Sequence, residues 1–79
     1  MLYNSFMRAE LPDWVHWLAQ DADGQWWGYE VEPNMKHDGW YENELGRYIK
    51  LHNSGRNPNW AESLTPVEPN STNNKTRSL

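Results

Sequence analysis

A chain of 79 residues is long enough for one domain, and its formal net charge is −4. Its 11 acidic residues outnumber its 7 basic ones, which argues against binding DNA or RNA through phosphate neutralisation. Cysteine is absent, so neither a disulfide nor a cysteine zinc site can hold the fold, and we expect the six Trp and four Tyr to supply the core. We find neither an apolar run near the ~20 residues of a membrane span nor a signal-peptide pattern, and we expect a cytoplasmic protein without membrane contact.

The first predicted element is a β-hairpin over residues 14–31. Residues 14–20 (WVHWLAQ) and 25–31 (QWWGYEV) are rich in the aromatic and β-branched types that strands favour. Between them, Asp21-Ala22-Asp23-Gly24 is typical of a type I turn that Gly24 closes with a G1 bulge. The sequence therefore predicts two antiparallel strands joined by a tight turn.

This turn fixes the register of the hairpin and hence its two faces. Asp21 pairs with Gln25, which places Trp17 opposite Tyr29. One face is almost wholly apolar, and we expect it to be the core face: Val15, Trp17, Ala19, Trp27, Tyr29 and Val31. The other face is mixed: Trp14, His16, Leu18, Gln20, Trp26, Gly28, Glu30 and Glu32. His16 lies opposite Glu30 on this mixed face.

The rest of the chain completes a small mainly-β domain. Residues 33–46 are predicted to be a packed, turn-rich loop, and residues 47–51 a third strand with Arg47, Ile49 and Leu51 on one face and Tyr48 and Lys50 on the other. Asn59 is predicted to cap a short helical turn, whose Trp60 and Leu64 dock on the sheet. We thus predict a three-stranded antiparallel sheet with a C-terminal helical turn in residues 1–64, followed by a disordered tail in residues 65–79.

Metal and catalytic motifs are weak in this sequence. The run from Asp21 to Gly24 has the opening spacing of a calcium loop but lacks the further oxygen ligands, so a turn is favoured. His16, His37 and His52 show no metal-binding spacing. His16 and Glu30 are compatible with an acid–base pair, but without an evident nucleophile a cross-strand surface pair is favoured. We therefore predict no catalytic residues, no metal and no cofactor.

Two aromatic residues on the mixed face, Trp14 and Trp26, define the predicted binding site. An exposed Trp is costly unless it is covered or used. Either the chain covers both rings with residues 33–46 or the Trp60 segment, or they form a binding patch together with His16 and Glu30. Arg47 and Lys50 complete the predicted set, as cations that would meet phosphate if a base stacks on Trp14 or Trp26.

Several motifs resemble small uncharacterised accessory proteins of tailed bacteriophages and prophages. The shared pattern has the form PxW…W(I/L)AQDxDGxWW and spans about residues 11–64. It is carried here by Leu11-Pro12-Asp13-Trp14, the Asp21–Gly24 turn, Trp27-Gly28-Tyr29, Pro33, Gly39-Trp40-Tyr41, Asn57-Pro58-Asn59-Trp60 and Ser63-Leu64. The resemblance implies a phage protein in the host cytoplasm that occupies or inhibits a host protein, for example one used in defence, or that captures a small signalling nucleotide. A homo-oligomer is compatible with either role.

A second resemblance is to the WW domain, a three-stranded sheet that binds proline-rich peptides. It is carried by Leu11-Pro12 followed by Trp14, by a glycine-containing first turn and by the late Trp40. The sequence departs from the WW pattern because Gly28 splits the position of the paired tyrosines and no proline follows closely after Trp40. This resemblance implies a proline-rich peptide as an alternative ligand.

Overall fold

A computed structural model describes residues 11–67 of the chain, which fold into two antiparallel sheets. The larger sheet has four strands in the order β5-β2-β1-β6, and the smaller is a hairpin of β3 and β4. The elements in chain order are β1 Trp17–Gln20, β2 Gln25–Tyr29, β3 Asn34–Lys36, β4 Gly39–Tyr41, β5 Tyr48–Asn53, a 3₁₀ turn Trp60–Glu62 and β6 Thr65–Pro66. The prediction of a small mainly-β antiparallel fold is confirmed, although the main sheet has four strands rather than three.

The hairpin of β1 and β2 has the predicted register. Trp17 pairs with Tyr29 and Ala19 with Trp27. The Asp21 N–H donates to the carbonyl of Gln25 at 3.0 Å, and the Gly24 N–H donates back to the carbonyl of Asp21 at 2.9 Å. Gly24 has φ of +97°, the left-handed conformation that the G1-bulge turn requires.

Both faces of this hairpin are covered: the face predicted to be the core is one, and the face predicted to be mixed also carries a core of its own. The first core lies on the face predicted to be mixed and centres on Val15, Leu18 and Trp26, with Leu11, Trp14, Ile49, Leu51 and Val67 packed around them. The second core lies on the opposite face and centres on Ala19, Tyr29 and Trp40, with Trp17, Trp27, Trp60 and Leu64 packed around them. Alternation along a strand shows which residues share a face, but it cannot show what later segments bring to that face.

Val15 lies in the first core rather than on the predicted face because the strand is irregular before Trp17. The Val15 N–H donates to the carbonyl of Pro12 at 3.1 Å, which closes a turn. The His16 N–H donates to the carbonyl of Tyr29 at 2.9 Å, although the strand partner of Tyr29 is Trp17. His16 and Trp17 thus both lie opposite Tyr29, so β1 is preceded by one extra residue and the alternation of its side chains between the two faces is broken there. Val15 then packs on the bare backbone of Gly28, where a Cβ would lie 2.9 Å from its Cγ1 atom.

The third predicted strand is confirmed as β5. Its Ile49 and Leu51 share one face as expected, and this face packs in the first core. Residues 33–46 are not a loop throughout, because β3 and β4 form a second hairpin that turns at His37 and Asp38. The loop prediction was right in one respect, since Trp40 packs down and is only 6% exposed. This second hairpin and the 3₁₀ turn together cover the second core.

The predicted tail begins too early. Thr65 pairs with Leu18 and Pro66 with Trp17, and the Val67 N–H donates to the carbonyl of His16 at 2.9 Å. Residues 65–67 therefore belong to the main sheet. The rest of the predicted tail and residues 1–10 lie outside the described residues.

The predicted helical turn is a short 3₁₀ turn whose Trp60 and Leu64 dock on the sheet as expected, in the second core. Asn59 makes no side-chain capping bond to it. Within residues 11–67, no helix has the length and apolar character needed to cross a membrane.

Candidate functional site

The structure brings four residues of the predicted site together at one end of the main sheet. We call Trp14, His16, Glu30 and Arg47 the Arg47 cluster. The Cζ atom of Arg47 lies 4.6 Å from the centre of the Trp14 ring, within the range of a cation–π contact. His16 contributes Nδ1, which lies 3.1 Å from the backbone carbonyl oxygen of Glu30 rather than from its carboxylate. The predicted cross-strand pair of His16 and Glu30 is thus a side-chain-to-backbone contact.

Glu30 holds Arg47 through both ends of its carboxylate. Arg47 donates from Nε to Oε1 and from Nη2 to Oε2, each at 3.0 Å, and its backbone N–H also donates to Oε1 at 3.0 Å. The hydrogen bonds from the Arg47 side chain and then from its backbone lower the pKa of Glu30 to about 2. The same pairing raises the pKa of Arg47, so both groups stay charged across the physiological range.

The Arg47 guanidinium is therefore fixed in orientation while it remains accessible. Its Cζ atom lies over the Trp14 ring and its fork is engaged by Glu30, yet 60% of the Arg47 side chain is exposed. A guanidinium that is already oriented loses less side-chain entropy when a partner packs on it. Chemically, the cluster offers a flat cation for stacking and for further hydrogen bonds.

Trp26 does not belong to this cluster. It is only 6% exposed, packs in the first core, and donates from Nε1 to Oγ of Ser54 at 3.0 Å. The expectation that its ring is covered by residues 33–46 or by the Trp60 segment is also wrong, since those segments cover the second core. Trp26 is instead enclosed by first-core residues that include Ile49 and Leu51 from β5.

Lys50 is also separate from the Arg47 cluster. It pairs with Trp27 across β2 and β5, on the face of the second core. There it lies close to an aromatic pair formed by Trp27 and Tyr48, whose ring centres are 6.0 Å apart with planes at 54°. Tyr48 is 51% exposed. The sequence prediction missed this pair because the register between β2 and β5 is not fixed by a short turn.

A polar cleft of about 430 Å³ lies where three turns meet. Its lining residues are Asp21, Ala22, Asp23, Lys36, Asp38 and Arg56. Ala22 connects the segments that line the cleft. The Ala22 N–H donates to the carbonyl of Asp38, and the Ala22 carbonyl accepts from the Asn57 N–H, both at 3.1 Å. In the described part of the chain, no group of His, Asp and Glu side chains is arranged to hold a metal ion.

The Asp21 carboxylate is engaged inside the fold rather than offered to the cleft. Its Oδ1 accepts the backbone N–H of Trp40 at 2.9 Å, and its Oδ2 accepts the indole N–H of Trp27 at 3.1 Å. The bond from Trp40 attaches the second hairpin to the first, whereas the bond from Trp27 lies within the first hairpin. The cleft is therefore lined by mixed charges around a structural carboxylate, and the Arg47 cluster is the better candidate site.

Comparisons with protein-family models, with curated proteins and with solved structures find no match to this chain.

Proposed function

We propose that this chain is a non-catalytic binding domain, an accessory protein of tailed-phage type that occupies a host protein through the Arg47 cluster. The observation that carries the proposal is the guanidinium of Arg47, which is fixed over Trp14 by the carboxylate of Glu30 and remains 60% exposed. Arg and Trp are among the residues that dominate binding hot spots. A solvated surface cation would not need this double support.

The chemistry of the cluster indicates the kind of contact it would make. Because Glu30 accepts from Nε and from one N–H of Nη2, Arg47 keeps Nη1, the second N–H of Nη2 and the part of the guanidinium turned away from Trp14 for a partner. That surface suits an aromatic ring or a peptide plane that stacks on the guanidinium. The net charge of −4 favours a partner with a basic surface around this contact.

Arg47→Lys is the variant that tests this proposal, because lysine keeps the charge but has neither the plane nor the fork. Lys50→Ala is the matched control, since it removes an exposed cation from the same strand outside the cluster. Immobilised protein would be used to capture partners from a bacterial host lysate. The affinity of each captured protein for both variants would then be measured by calorimetry.

The expected result is a host protein that binds the wild type and Lys50→Ala equally and Arg47→Lys at least about tenfold more weakly, a difference of about 1.4 kcal/mol. The melting temperature of Arg47→Lys must stay within a few degrees of the wild type for this comparison to hold. If the folded Arg47→Lys variant binds a captured protein as tightly as the wild type does, the Arg47 cluster is not part of the contact.

A proline-rich peptide is the second candidate ligand, and the aromatic pair of Trp27 and Tyr48 supports it. The two tilted rings lie 6.0 Å apart; Tyr48 is 51% exposed and Trp27 is partly buried against the second core. They provide ridges between which a polyproline helix can lie. Titration of a proline-rich peptide, followed by Trp fluorescence, tests this alternative. Binding should be lost in Tyr48→Ala and kept in Tyr41→Ala, which removes a comparably exposed Tyr from the second hairpin. If both variants bind alike, the pair is not the site.

The nucleotide alternative has less support from the geometry. Trp26 is buried, and Arg47 covers one side of the Trp14 ring. Lys50, the other cation predicted to meet phosphate, lies on the opposite face of β5 from the residues that pack in the first core. A stacked base would therefore have to use surfaces other than those predicted.

A further inference from the structure

The outer edge of β5 carries main-chain groups that point away from the sheet. β5 is the terminal strand in the order β5-β2-β1-β6, and no strand in the described part of the chain pairs with its outer side. The Glu30 N–H donates to the carbonyl of Arg47 at 2.9 Å, so Arg47 faces β2. Because hydrogen-bonding direction alternates along an antiparallel strand, Ile49 also faces β2, whereas the N–H and C=O of Tyr48 and Lys50 point outward.

The opposite edge of the main sheet differs from this one. It is formed by β6, which has only the two residues Thr65 and Pro66. Proline has no N–H to offer an incoming strand, and a two-residue strand gives little to pair with. Within residues 11–67, the main sheet of each copy therefore has one edge that is suited to pairing. An assembly through β5 alone joins two copies and then closes, rather than extending into a fibre.

We propose that two copies of this chain dimerise by antiparallel pairing of their β5 edges about a twofold axis at Ile49. In this register Tyr48 of each copy lies opposite Lys50 of the other, and each such pair exchanges both of its N–H···O bonds. The two Ile49 residues face each other on the side of the first core. Tyr48 and the Lys50 of the other copy lie together on the side of the aromatic pair, where the ammonium can contact the ring.

The neighbouring registers are less favourable for reasons that can be read from the strand. A slide of two residues in one direction places Lys50 opposite Lys50, and like charges directly opposite are destabilising. A slide in the other direction places Lys50 opposite Gly46, which lies outside β5. Gly46 belongs to a turn in which its N–H donates to the carbonyl of Asn43. Lys50 thus selects one register.

The expected dimer is weak. Pairing of two short edge strands buries less than the roughly 1,200 Å² of a standard interface, and two copies each carrying a net charge of −4 repel each other. We expect a dissociation constant in the micromolar range and stronger association as salt screens the repulsion. The inference does not depend on the proposed function, because it uses main-chain groups rather than the Arg47 cluster.

Lys50→Pro and Lys50→Ala form the matched pair for the test. Both remove the same side chain, but only proline removes the outward N–H, which makes no bond within the sheet. Sedimentation equilibrium of the full chain should show that the wild type dimerises and that Lys50→Ala still does so, at a somewhat higher concentration because it lacks the contact between the ammonium and the Tyr48 ring. Lys50→Pro should associate at least about tenfold more weakly than Lys50→Ala. Equal association of the two variants would overturn the proposal.

Hydrogen exchange of the wild type provides a second test that does not require a folded proline variant. The amides of Tyr48 and Lys50 should exchange quickly in dilute protein and more slowly as concentration rises, while the amide of Ile49 is protected throughout. Protection of Tyr48 and Lys50 at every concentration would mean that the chain's own remaining residues occupy the edge. If these two amides are still unprotected at millimolar protein, no strand pairs with the β5 edge. Either result would reject the dimer.

Discussion

Replacement of Asp21 is the most informative perturbation of this fold. The sequence predicts Asp21 as the first residue of a turn, whereas the structure shows its carboxylate accepting two N–H groups, from the backbone of Trp40 and from the indole of Trp27. Asp21→Ala leaves both donors without their acceptor. Asp21→Asn keeps one acceptor oxygen but points an NH₂ group at the other donor, so it should restore at most half of the loss.

The expected magnitude follows from the number of bonds and their partial burial. Hydrogen bonds to a charged group contribute about 1.5–3 kcal/mol each. Since both lie in half-buried surroundings, the lower end applies, and Asp21→Ala should reduce the free energy of unfolding by about 3 kcal/mol. For a domain of this size, such a loss lowers the melting temperature by about 12–24 °C.

Thermal unfolding followed by circular dichroism measures this loss, with Asp23→Ala as the control. Asp23 belongs to the same turn, but its carboxylate accepts an exposed N–H from Gln25, so its removal should cost less than about 1 kcal/mol. A second signal comes from Tyr29, whose pKa is raised first by burial and then by the charges of Asp21 and Glu42. Asp21→Asn should lower the pKa of Tyr29. Equal melting temperatures for the Asp21 and Asp23 variants would refute this reasoning.

Three further predictions concern the core, the ion pair and the C-terminal strand. Trp26→Ala should cost about 3–5 kcal/mol, because the ring is a core residue, and a urea midpoint equal to the wild type's would contradict its burial. Glu30, whose pKa in the fold is about 2 against an ordinary 4.5, stabilises the fold fully above pH 4.5 and loses that contribution as the pH falls towards 2. Glu30→Gln should therefore flatten the acid side of a urea-midpoint profile, and an unchanged slope between pH 5 and 2.5 would count against the pairing with Arg47. A chain ending at Leu64 should melt below one ending at Val67, since only the longer one keeps β6, and identical melting curves would show that β6 adds nothing.

The register of the first hairpin was predictable because it depends on residues close together in the sequence. The Asp21–Gly24 turn fixes the pairing, and the pairing fixes which side chains share a face. The failure at Val15 has an equally local cause, a turn on Pro12 that inserts an irregular residue. A turn of this kind competes with strand alternation, and the sequence pattern alone does not rank the two.

The second core was not predictable in the same way, because distant segments build it. Trp40 comes from the second hairpin and Trp60 from the 3₁₀ turn, and their rings meet edge to face with centres 6.0 Å apart. The sequence identified both as apolar anchors without showing which face they cover. The same limit applies to the candidate site. Trp14 and Glu30 were grouped by strand pairing, but the bidentate bond to Arg47 depends on the register of β5.

The packing around Gly24 affects where this protein can be tagged or extended. Tight hairpin turns are often the first choice for inserting a peptide or a label, since they usually project into solvent. Here the Gly24 turn lies against the 54–57 segment, and a Cβ at Gly24 would lie 2.3 Å from the backbone of Gly55. An insertion there would push the Gly24 turn away from the 54–57 segment and from the second hairpin, to which it is joined by the bond from the Ala22 N–H to the carbonyl of Asp38. The tolerant position is the turn that carries Leu45, a side chain 85% exposed, and a fluorophore placed there would report on the protein without disturbing either core.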